Sequence, residues 1–214
     1  METKKYILIE SGKSGFYRVK AVKDFGNVKA GDIGGFVKSE KNLSQVGNAW
    51  VYGNAEVSGN AEVSGNAEVY GNAWVYGNAR VSGNARVYGN AEVYGDAEVY
   101  GNAEVSGDAW VYGNAEVYGN AWVSGNARVS GNAWVSGNAR VSGKEDYIVF
   151  KNWWSSGRYF TWTRSNNRWR VGCFCGTGEE LIAKAYKDSE QSGREYERVV
   201  RYVEGIINDK NERL

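Results

Sequence analysis

The chain has 214 residues, a formal net charge of +1, two cysteines and no histidine. It shows no basic stripe of a nucleic-acid binder, no dense acidic face of a DNA mimic, and no apolar run of about 18 residues that would span a membrane. Because the first residues also lack the apolar core and cleavage site of a signal peptide, we expect a cytoplasmic protein with neither membrane nor nucleic acid as partner.

The head, residues 1–46, is predicted to be an N-terminal β cap. Residues 6–9 and 17–22 have the alternation of strands, and Gly31, Gly34 and Gly35 are interpreted as tight bends that lead into the next segment. A stack of strands ends in unpaired backbone donors and acceptors, so its ends need covering. The head suits that task.

Residues 47–142 consist of sixteen six-residue units with the pattern Gly-Asn/Asp-Ala-x-Val-Tyr/Ser. The Ala-x-Val-x part alternates as a half-buried strand does, with Ala and Val inward. Gly-Asn is expected to form a corner, because both residues tolerate positive φ. Such short strands bury their apolar side only by stacking, so three sides should make a triangular coil of 18 residues. Sixteen sides then give about five coils, with the corner asparagines stacked in ladders.

This repeat resembles the left-handed β-helix proteins of the transferase hexapeptide family, which implies a left-handed parallel β-helix and side-to-side trimers. Residues 23–37, Asn42-Leu43-Ser44 and the repeat after them are similar to hexapeptide-repeat proteins of bacteria and their phages. That resemblance implies a bacterial cytoplasm as the location. The expected fold class is mainly β, a left-handed parallel β-helix of about five coils with an N-terminal β cap and a small C-terminal α+β domain.

The side chains between Ala and Val fall into three outward columns, because every third unit shares a side. The columns predict an ion ladder of Glu68, Arg86 and Glu104, and a repulsive pair in Glu98 and Glu116. The position after Val gives three runs of stacked tyrosines. These runs are Tyr52, Tyr70 and Tyr88, then Tyr76, Tyr94 and Tyr112, then Tyr100 and Tyr118.

Five tryptophans and eight tyrosines therefore decorate one small prism. The simplest interpretation is that they stabilise it as cross-strand aromatic pairs. The functional interpretation is that so much aromatic surface is covered by a partner, either a second copy of the chain, a sugar or a host protein. Trp74 and Trp110, two coils apart on one side, could flank a ligand. The candidate binding residues on the prism are Trp50, Trp74, Trp110, Trp122, Trp134, Tyr76, Tyr94 and Tyr112.

The sequence argues against an enzyme. Hexapeptide acyltransferases typically use a histidine as general base, and a γ-class carbonic anhydrase needs three, whereas this chain has none. All sixteen units keep one length, so no inserted loop forms a pocket wall. Asp96 and Asp108 replace corner asparagines in different columns and form no acid-base couple. We expect no catalytic residue, no cofactor and no metal.

The tail, residues 143–214, is predicted to be a small α+β domain. Strands are expected near 147–150, 158–164 and 168–174, followed by a helix that Thr177 caps together with Glu180. A break is expected at 189–193. The last helix should bury one face, made of Tyr196, Val199, Val200, Val203, Ile206 and Ile207. Cys173 and Cys175 alternate on a strand and are interpreted as reduced core thiols.

Aromatic and cationic side chains are mixed in this tail. The mixture could bind a nucleotide or an acidic partner by stacking and charge, or it could be a small tryptophan core with a solvated arginine face. The candidate binding residues here are Trp153, Trp154, Arg164, Arg168 and Arg170.

Our leading hypothesis is a non-catalytic phage-type binding or scaffolding protein, with a homotrimer as the favoured assembly. Such a module would suit inhibition of a host or defence protein. One alternative is a small-molecule or nucleotide binder, or a degenerate hexapeptide acyltransferase. Another is a structural element of a virion.

Overall fold

The computed structural model describes residues 4–211 and divides into two compact units, Met1–Asp146 and Tyr147–Leu214. The protein is mainly β: a parallel β-solenoid of about six turns follows a few N-terminal strands, and a small sheet with two helices lies at the C-terminal end. This confirms the predicted mainly β class, with a parallel β-helix between N-terminal strands and a small C-terminal α+β unit. Within the described residues, no helix is long and apolar enough to cross a membrane.

The solenoid has three faces, because strands 18 residues apart pair in parallel register. The first face contains Trp50–Val51, Glu68–Val69, Arg86–Val87, Glu104–Val105, Trp122–Val123 and Arg140–Val141. The second face contains Glu56–Val57, Trp74–Val75, Glu92–Val93, Trp110–Val111 and Arg128–Val129. The third face contains Glu62–Val63, Arg80–Val81, Glu98–Val99, Glu116–Val117 and Trp134–Val135.

The interior of the solenoid consists of the repeated alanines and valines. Each of them is at most 1% exposed, which confirms that Ala and Val point inward. The strands are two residues long rather than the predicted four, but the hydrogen bonds between turns continue into the corner. Asn78 N donates to Gly95 O at 2.8 Å, and Arg80 N donates to Ala97 O at 2.9 Å. Backbone groups of neighbouring turns therefore satisfy one another along most of each side.

The corners depend on glycine alone for their backbone geometry. The repeat glycines have φ between 58° and 74°, whereas Asn167 is the only non-glycine residue with positive φ in the described part of the chain. The corners lie at Gly-Asn as predicted, but only the glycines use the positive φ that both residue types tolerate. The asparagine side chains form the predicted ladders: Asn48 Nδ2 donates to Asn66 Oδ1 at 3.0 Å, and Asn66 donates to Asn84 in the same way.

The head contributes the strands Tyr6–Glu10, Tyr17–Ala21 and Ile33–Val37, paired antiparallel in that order. The third of them continues the second face, because Phe36 and Val37 pair in parallel with Glu56 and Val57. Leu43 bridges Val63 on the third face. Two sides of the coil thus come from the head, and the solenoid has about six turns instead of five.

Gly34 and Gly35 lie inside this third strand and are buried, so the predicted bends at these positions are wrong. A Cβ atom on Gly34 would lie 2.3 Å from the carbonyl oxygen of Val51, and one on Gly35 would lie 2.6 Å from that of Ala55. The glycines are needed because the backbones approach closely there.

Two buried polar side chains bind backbone carbonyls at the start of the solenoid. Lys5 Nζ donates to Ala49 O at 2.9 Å, and Asn42 Nδ2 donates to Ala61 O at 2.8 Å. Burial, followed by the nearby charge of Lys23, lowers the pKa of Lys5 to about 8. These donors satisfy carbonyls that have no preceding turn to pair with.

The tail unit is a four-stranded antiparallel sheet with two helices. The strands are Tyr147–Lys151, Tyr159–Thr163, Arg168–Val171 and Phe174–Gly176, and the helices are α1, Gly178–Asp188, and α2, Glu190–Asn211. Thr177 caps α1 as predicted, with the reciprocal Glu180 bond present. The buried core consists of Phe160, Trp162, Trp169, Leu181, Ile182, Ala185, Tyr196, Val200 and Val203.

The third tail strand ends at Val171, earlier than predicted, because Gly172 takes a φ of 55° and turns the chain. Phe174 then packs against the core while Cys173 and Cys175 are exposed free thiols. The prediction that the cysteines lie in the core is therefore wrong. Phenylalanine takes the inward position between them.

Candidate binding surfaces

The second face gathers five of the predicted binding residues, Trp74, Tyr76, Tyr94, Trp110 and Tyr112. We call these five side chains the aromatic face. Of the remaining candidates on the prism, Trp50 and Trp122 belong to the first face and Trp134 to the third.

The three tyrosine rings of the aromatic face form a continuous stack. Tyr76 and Tyr94 are stacked with centroids 4.8 Å apart, and Tyr94 and Tyr112 with centroids 5.0 Å apart. Trp110 meets Tyr94 edge-on at 6.4 Å, and the guanidinium of Arg128 lies 4.4 Å from the Trp110 ring. The spacing equals the distance between neighbouring strands, so the turn of the solenoid sets the stack.

Carboxylates one turn further along hold several tyrosine hydroxyls. Tyr76 Oη donates to Glu92 at 3.0 Å, and Tyr100 Oη donates to Glu116 at 2.8 Å. Burial, followed by the bond to the carboxylate, raises the pKa of both phenols well above its ordinary value. Burial and the charge of Glu68 raise the pKa of Tyr52 to about 12. These phenols therefore stay neutral donors at physiological pH.

Glu92 lies between the two tryptophans of the aromatic face, in register with Trp74 on one side and Trp110 on the other. The tryptophans are thus two strand spacings apart, roughly 10 Å. Arg128 and Tyr94 cover part of Trp110, whereas Trp74 is 48% exposed. The arrangement can stack against a flat group at Trp74 and accept a hydrogen bond at Glu92.

The head extends the same face with cations on aromatic rings. Arg18 lies 4.4 Å from the ring centre of Phe36, Lys38 lies 5.3 Å from that of Phe16, and Lys13 pairs with Glu56. Sequence reasoning missed this extension. The signal was Gly35-Phe36-Val37, which repeats the Ala-x-Val pattern with glycine in the place of alanine.

Trp50 is not part of any surface, contrary to its place among the candidates. It is 1% exposed, because Tyr6 and Phe25 of the head meet its ring edge-on at 6.1 and 5.3 Å. Trp122 is 38% exposed, and its Nε1 donates to Ser106 Oγ at 3.0 Å.

The charged columns of the first and third faces are largely paired. Arg86 lies 3.6 Å from both Glu68 and Glu104, which confirms the predicted ion ladder. On the third face Glu98 pairs with Arg80 at 3.5 Å, and Glu116 accepts the Tyr100 hydroxyl. The expected repulsion between these two glutamates is thereby offset.

The arginines and tryptophans of the tail do not act as one patch. Trp162 and Trp169 are core residues, and Trp154 packs edge-on against Phe160 and Tyr196. Trp153 is 75% exposed. Arg168 pairs with Glu180 at 3.6 Å, and strand alternation places both Arg168 and Arg170 opposite Trp169. Arg164 is half-buried just after the second tail strand.

A cavity of about 330 Å³ in the tail unit was not predicted. Its polar lining includes Asn152, Arg158, Lys184, Asp188 and Tyr196. The residues come from the loop 152–158, α1 and α2, and no local pattern in the sequence joins them. In residues 4–208, no three or more His, Cys, Asp or Glu side chains are grouped so that they could hold a metal ion.

The repeat matches a family model described as YdcK beta solenoid repeat, over residues 73–88, 79–95, 109–125 and 123–137. With the parallel coil described above, this match defines the protein as a repeat β-helix protein. A comparison with curated proteins finds no match to the chain.

Proposed function

We propose that this chain is a non-catalytic binding protein, in which the solenoid is a rigid spacer that presents the aromatic face to a protein partner. The observation that carries the proposal is Trp74, a tryptophan left 48% exposed on the same face as the ordered stack of Tyr76, Tyr94 and Tyr112. Tryptophan, tyrosine and arginine are the residues that dominate binding energy at protein interfaces.

Four of the five side chains of the aromatic face, all except Trp74, are held by contacts before any partner arrives. Tyr94 is held between two stacked rings, Tyr76 is bonded to Glu92, and Arg128 lies on Trp110. Side chains that are already fixed lose little conformational entropy on binding, so more of the contact energy appears as affinity. This favours recognition of a partner over a purely stabilising role.

The composition also supports binding over catalysis. The chain has no histidine, and its sixteen units of equal length carry no loop insertion. A left-handed coil, kinship with the hexapeptide transferases, a phage origin, a bacterial cytoplasm and a homotrimer belong to the same proposal. Their support is the resemblance of the repeat pattern.

The proposal is tested by capture from a bacterial lysate with three baits, quantified by mass spectrometry. The baits are the full chain, a second-face variant carrying Trp74→Ser and Tyr94→Ser, and a matched first-face control carrying Trp122→Ser and Tyr70→Ser. We expect one protein to be captured by the full chain and the control, and at least tenfold less of it by the second-face variant. Equal capture by all three baits would refute the assignment.

The solution mass of the same three proteins shows whether the partner is a second copy. An oligomer that dissociates only in the second-face variant would identify the aromatic face as a self-association surface. An oligomer that persists in all three would place self-association elsewhere and leave the aromatic face to the captured protein.

A further inference from the structure

The cavity of the tail unit is built around a buried polar pair. Asn152 is 2% exposed; its Nδ2 donates to Tyr196 Oη at 3.0 Å, and its Oδ1 accepts the backbone N–H of Ser155 at 2.9 Å. Both Asn152 and Tyr196 line the cavity. Burying such groups is costly unless they are hydrogen-bonded, so a purely structural core would more simply be apolar.

Tyr196 has a proton to donate. The residue is 7% exposed, its hydroxyl oxygen already accepts from Asn152, and no acceptor for its own hydroxyl hydrogen is found among the described residues. Burial is the main cause that raises the pKa of Tyr196, so the phenol keeps this proton at neutral pH. Because Tyr196 is the acceptor in its bond with Asn152, its O–H is still available to donate to another group.

Charged side chains line the same cavity as this donor. Arg158, Lys184 and Asp188 line the cavity, and in the described part of the chain none of the three lies in an ion pair within 4.0 Å. Arg158 and Asp188 are both close enough to Tyr196 to act on it electrostatically. Two cations and one carboxylate give the cavity a net positive charge.

Part of the remaining wall is apolar and is formed by Val171, Phe174, Leu181 and Ala185, next to the small side chains of three serines and Cys173. Binding sites for small molecules commonly combine an apolar wall with a few convergent polar groups. A volume of about 330 Å³ lies within the usual range for such sites.

We infer that this cavity binds a small organic oxyanion, a carboxylate or a phosphate monoester, that also carries a hydrogen-bond donor. The Arg158 guanidinium matches two oxygens of such an anion, and Lys184 and the Tyr196 hydroxyl donate to it. Asp188 accepts from the donor group of the ligand. Asn152 is a positioning residue, because it orients the Tyr196 hydroxyl.

The test is a titration of the full chain followed by NMR shifts of backbone amides. The probes are lactate, a carboxylate with a hydroxyl group; glycerol 3-phosphate, a phosphate monoester with hydroxyl groups; and glycerol as the neutral control. We expect saturable shifts confined to residues that line the cavity with at least one anion, and none with glycerol. The anion that saturates identifies the headgroup.

Two variants and one control sharpen the result. Arg158→Gln should weaken binding at least tenfold, and Tyr196→Phe, which keeps the ring in the core, should weaken it several-fold. Arg168→Gln, a surface arginine paired with Glu180, should bind as the unaltered chain does. No saturation with either anion, equal shifts with glycerol, or unchanged binding by Arg158→Gln would overturn the inference. The second-face variant should still bind the anion, so this site and the aromatic face succeed or fail separately.

Discussion

The solenoid and the tail unit bury their apolar side chains in different ways. In the solenoid an alanine and a valine recur in every unit, each stacked on its equivalent in the turns before and after. The tail core contains nine buried residues of seven kinds, including Trp162 and Trp169. A repeat array distributes its stability over similar neighbours, whereas a small core depends on a few large side chains. A single substitution should therefore change the free energy of unfolding by different amounts in the two parts.

The largest effect is expected from Trp169→Ala in the tail. Trp169 is 2% exposed and packs against Phe150 and Phe160, so its removal leaves a large cavity that should cost about 3–5 kcal/mol. Hydrogen exchange should show loss of protection in the tail with the solenoid still protected. Trp153→Ala, at a site 75% exposed, is the control and should change stability by less than about 0.5 kcal/mol.

Within the solenoid, the loss of stability caused by replacing a corner glycine with alanine should depend on the position of the glycine. Gly95 has a φ of 74°, and a Cβ atom there would lie 3.0 Å from Gly113 N, so Gly95→Ala combines backbone strain with a clash and should cost about 2–4 kcal/mol. Gly131 has a φ of 66° but open space around it, so Gly131→Ala should cost about 1–2 kcal/mol. Chemical denaturation measures both. Equal losses would mean that neighbouring turns are not in contact at this corner.

The tyrosines of the solenoid should make its stability fall at high pH. In the folded state the pKa of Tyr52 is raised to about 12, and the pKa values of Tyr76 and Tyr100 are raised further. The unfolded chain ionises its tyrosines near pH 10. The stabilisation that the folded environment gives to the neutral tyrosines is therefore complete below pH 10 and is lost as the pH rises through the folded-state pKa. A variant with these three tyrosines changed to Phe should lose less free energy of unfolding between pH 9 and pH 12 than the unaltered chain. An identical pH profile would contradict the bonds to Glu68, Glu92 and Glu116.

The smallest effect concerns the asparagine ladders. Asp96 accepts a bond from Asn78 at 2.8 Å, but a carboxylate has no N–H with which to continue the ladder to Asn114. Asp96→Asn should restore the donor and stabilise the chain by about 0.5–1 kcal/mol. Asn84→Asp, which introduces such a break between Asn66 and Asn102, should have the opposite sign. Thermal denaturation of the two variants measures the effect, and a shift of Tm in the same direction for both would contradict the ladder interpretation.

The contrast between the two parts also explains what sequence could predict. The repeat placed Ala and Val inside, and the 18-residue turn placed Trp74, Tyr76 and Tyr94 on one face, because each unit has the environment of its neighbours. The burial of Trp50 escaped prediction, since its covering rings, Tyr6 and Phe25, come from outside the repeat. The strand Ile33–Val37 was not predicted either. In a sequence its two glycines indicate a turn, and only the structure shows that they are there because neighbouring backbones approach closely.

The tail pocket was beyond prediction for a related reason. Asn152 and Tyr196 meet across 44 positions of the chain, and the helices that carry Lys184 and Tyr196 fold against a loop with no repeat to fix its register. Local patterns gave the Thr177 cap and the strands, but not which loop residues face the helices. Sites assembled from single distant contacts need the fold before they can be seen.

The 18-residue turn, on which the aromatic face depends, is tested most directly by disulfide formation. With Cys173→Ser and Cys175→Ser as background, Tyr76→Cys combined with Tyr94→Cys places two thiols on adjacent strands of the second face, where the two tyrosine rings are stacked. Neighbouring strands are about 4.8 Å apart, which lies within the Cα range that a disulfide spans. Tyr76→Cys with Tyr88→Cys, twelve residues apart, places them on different faces. Mass spectrometry after mild oxidation should find the bond in the first pair and free thiols in the second. A bond in the second pair with free thiols in the first would contradict the three-sided coil and the surface built on it.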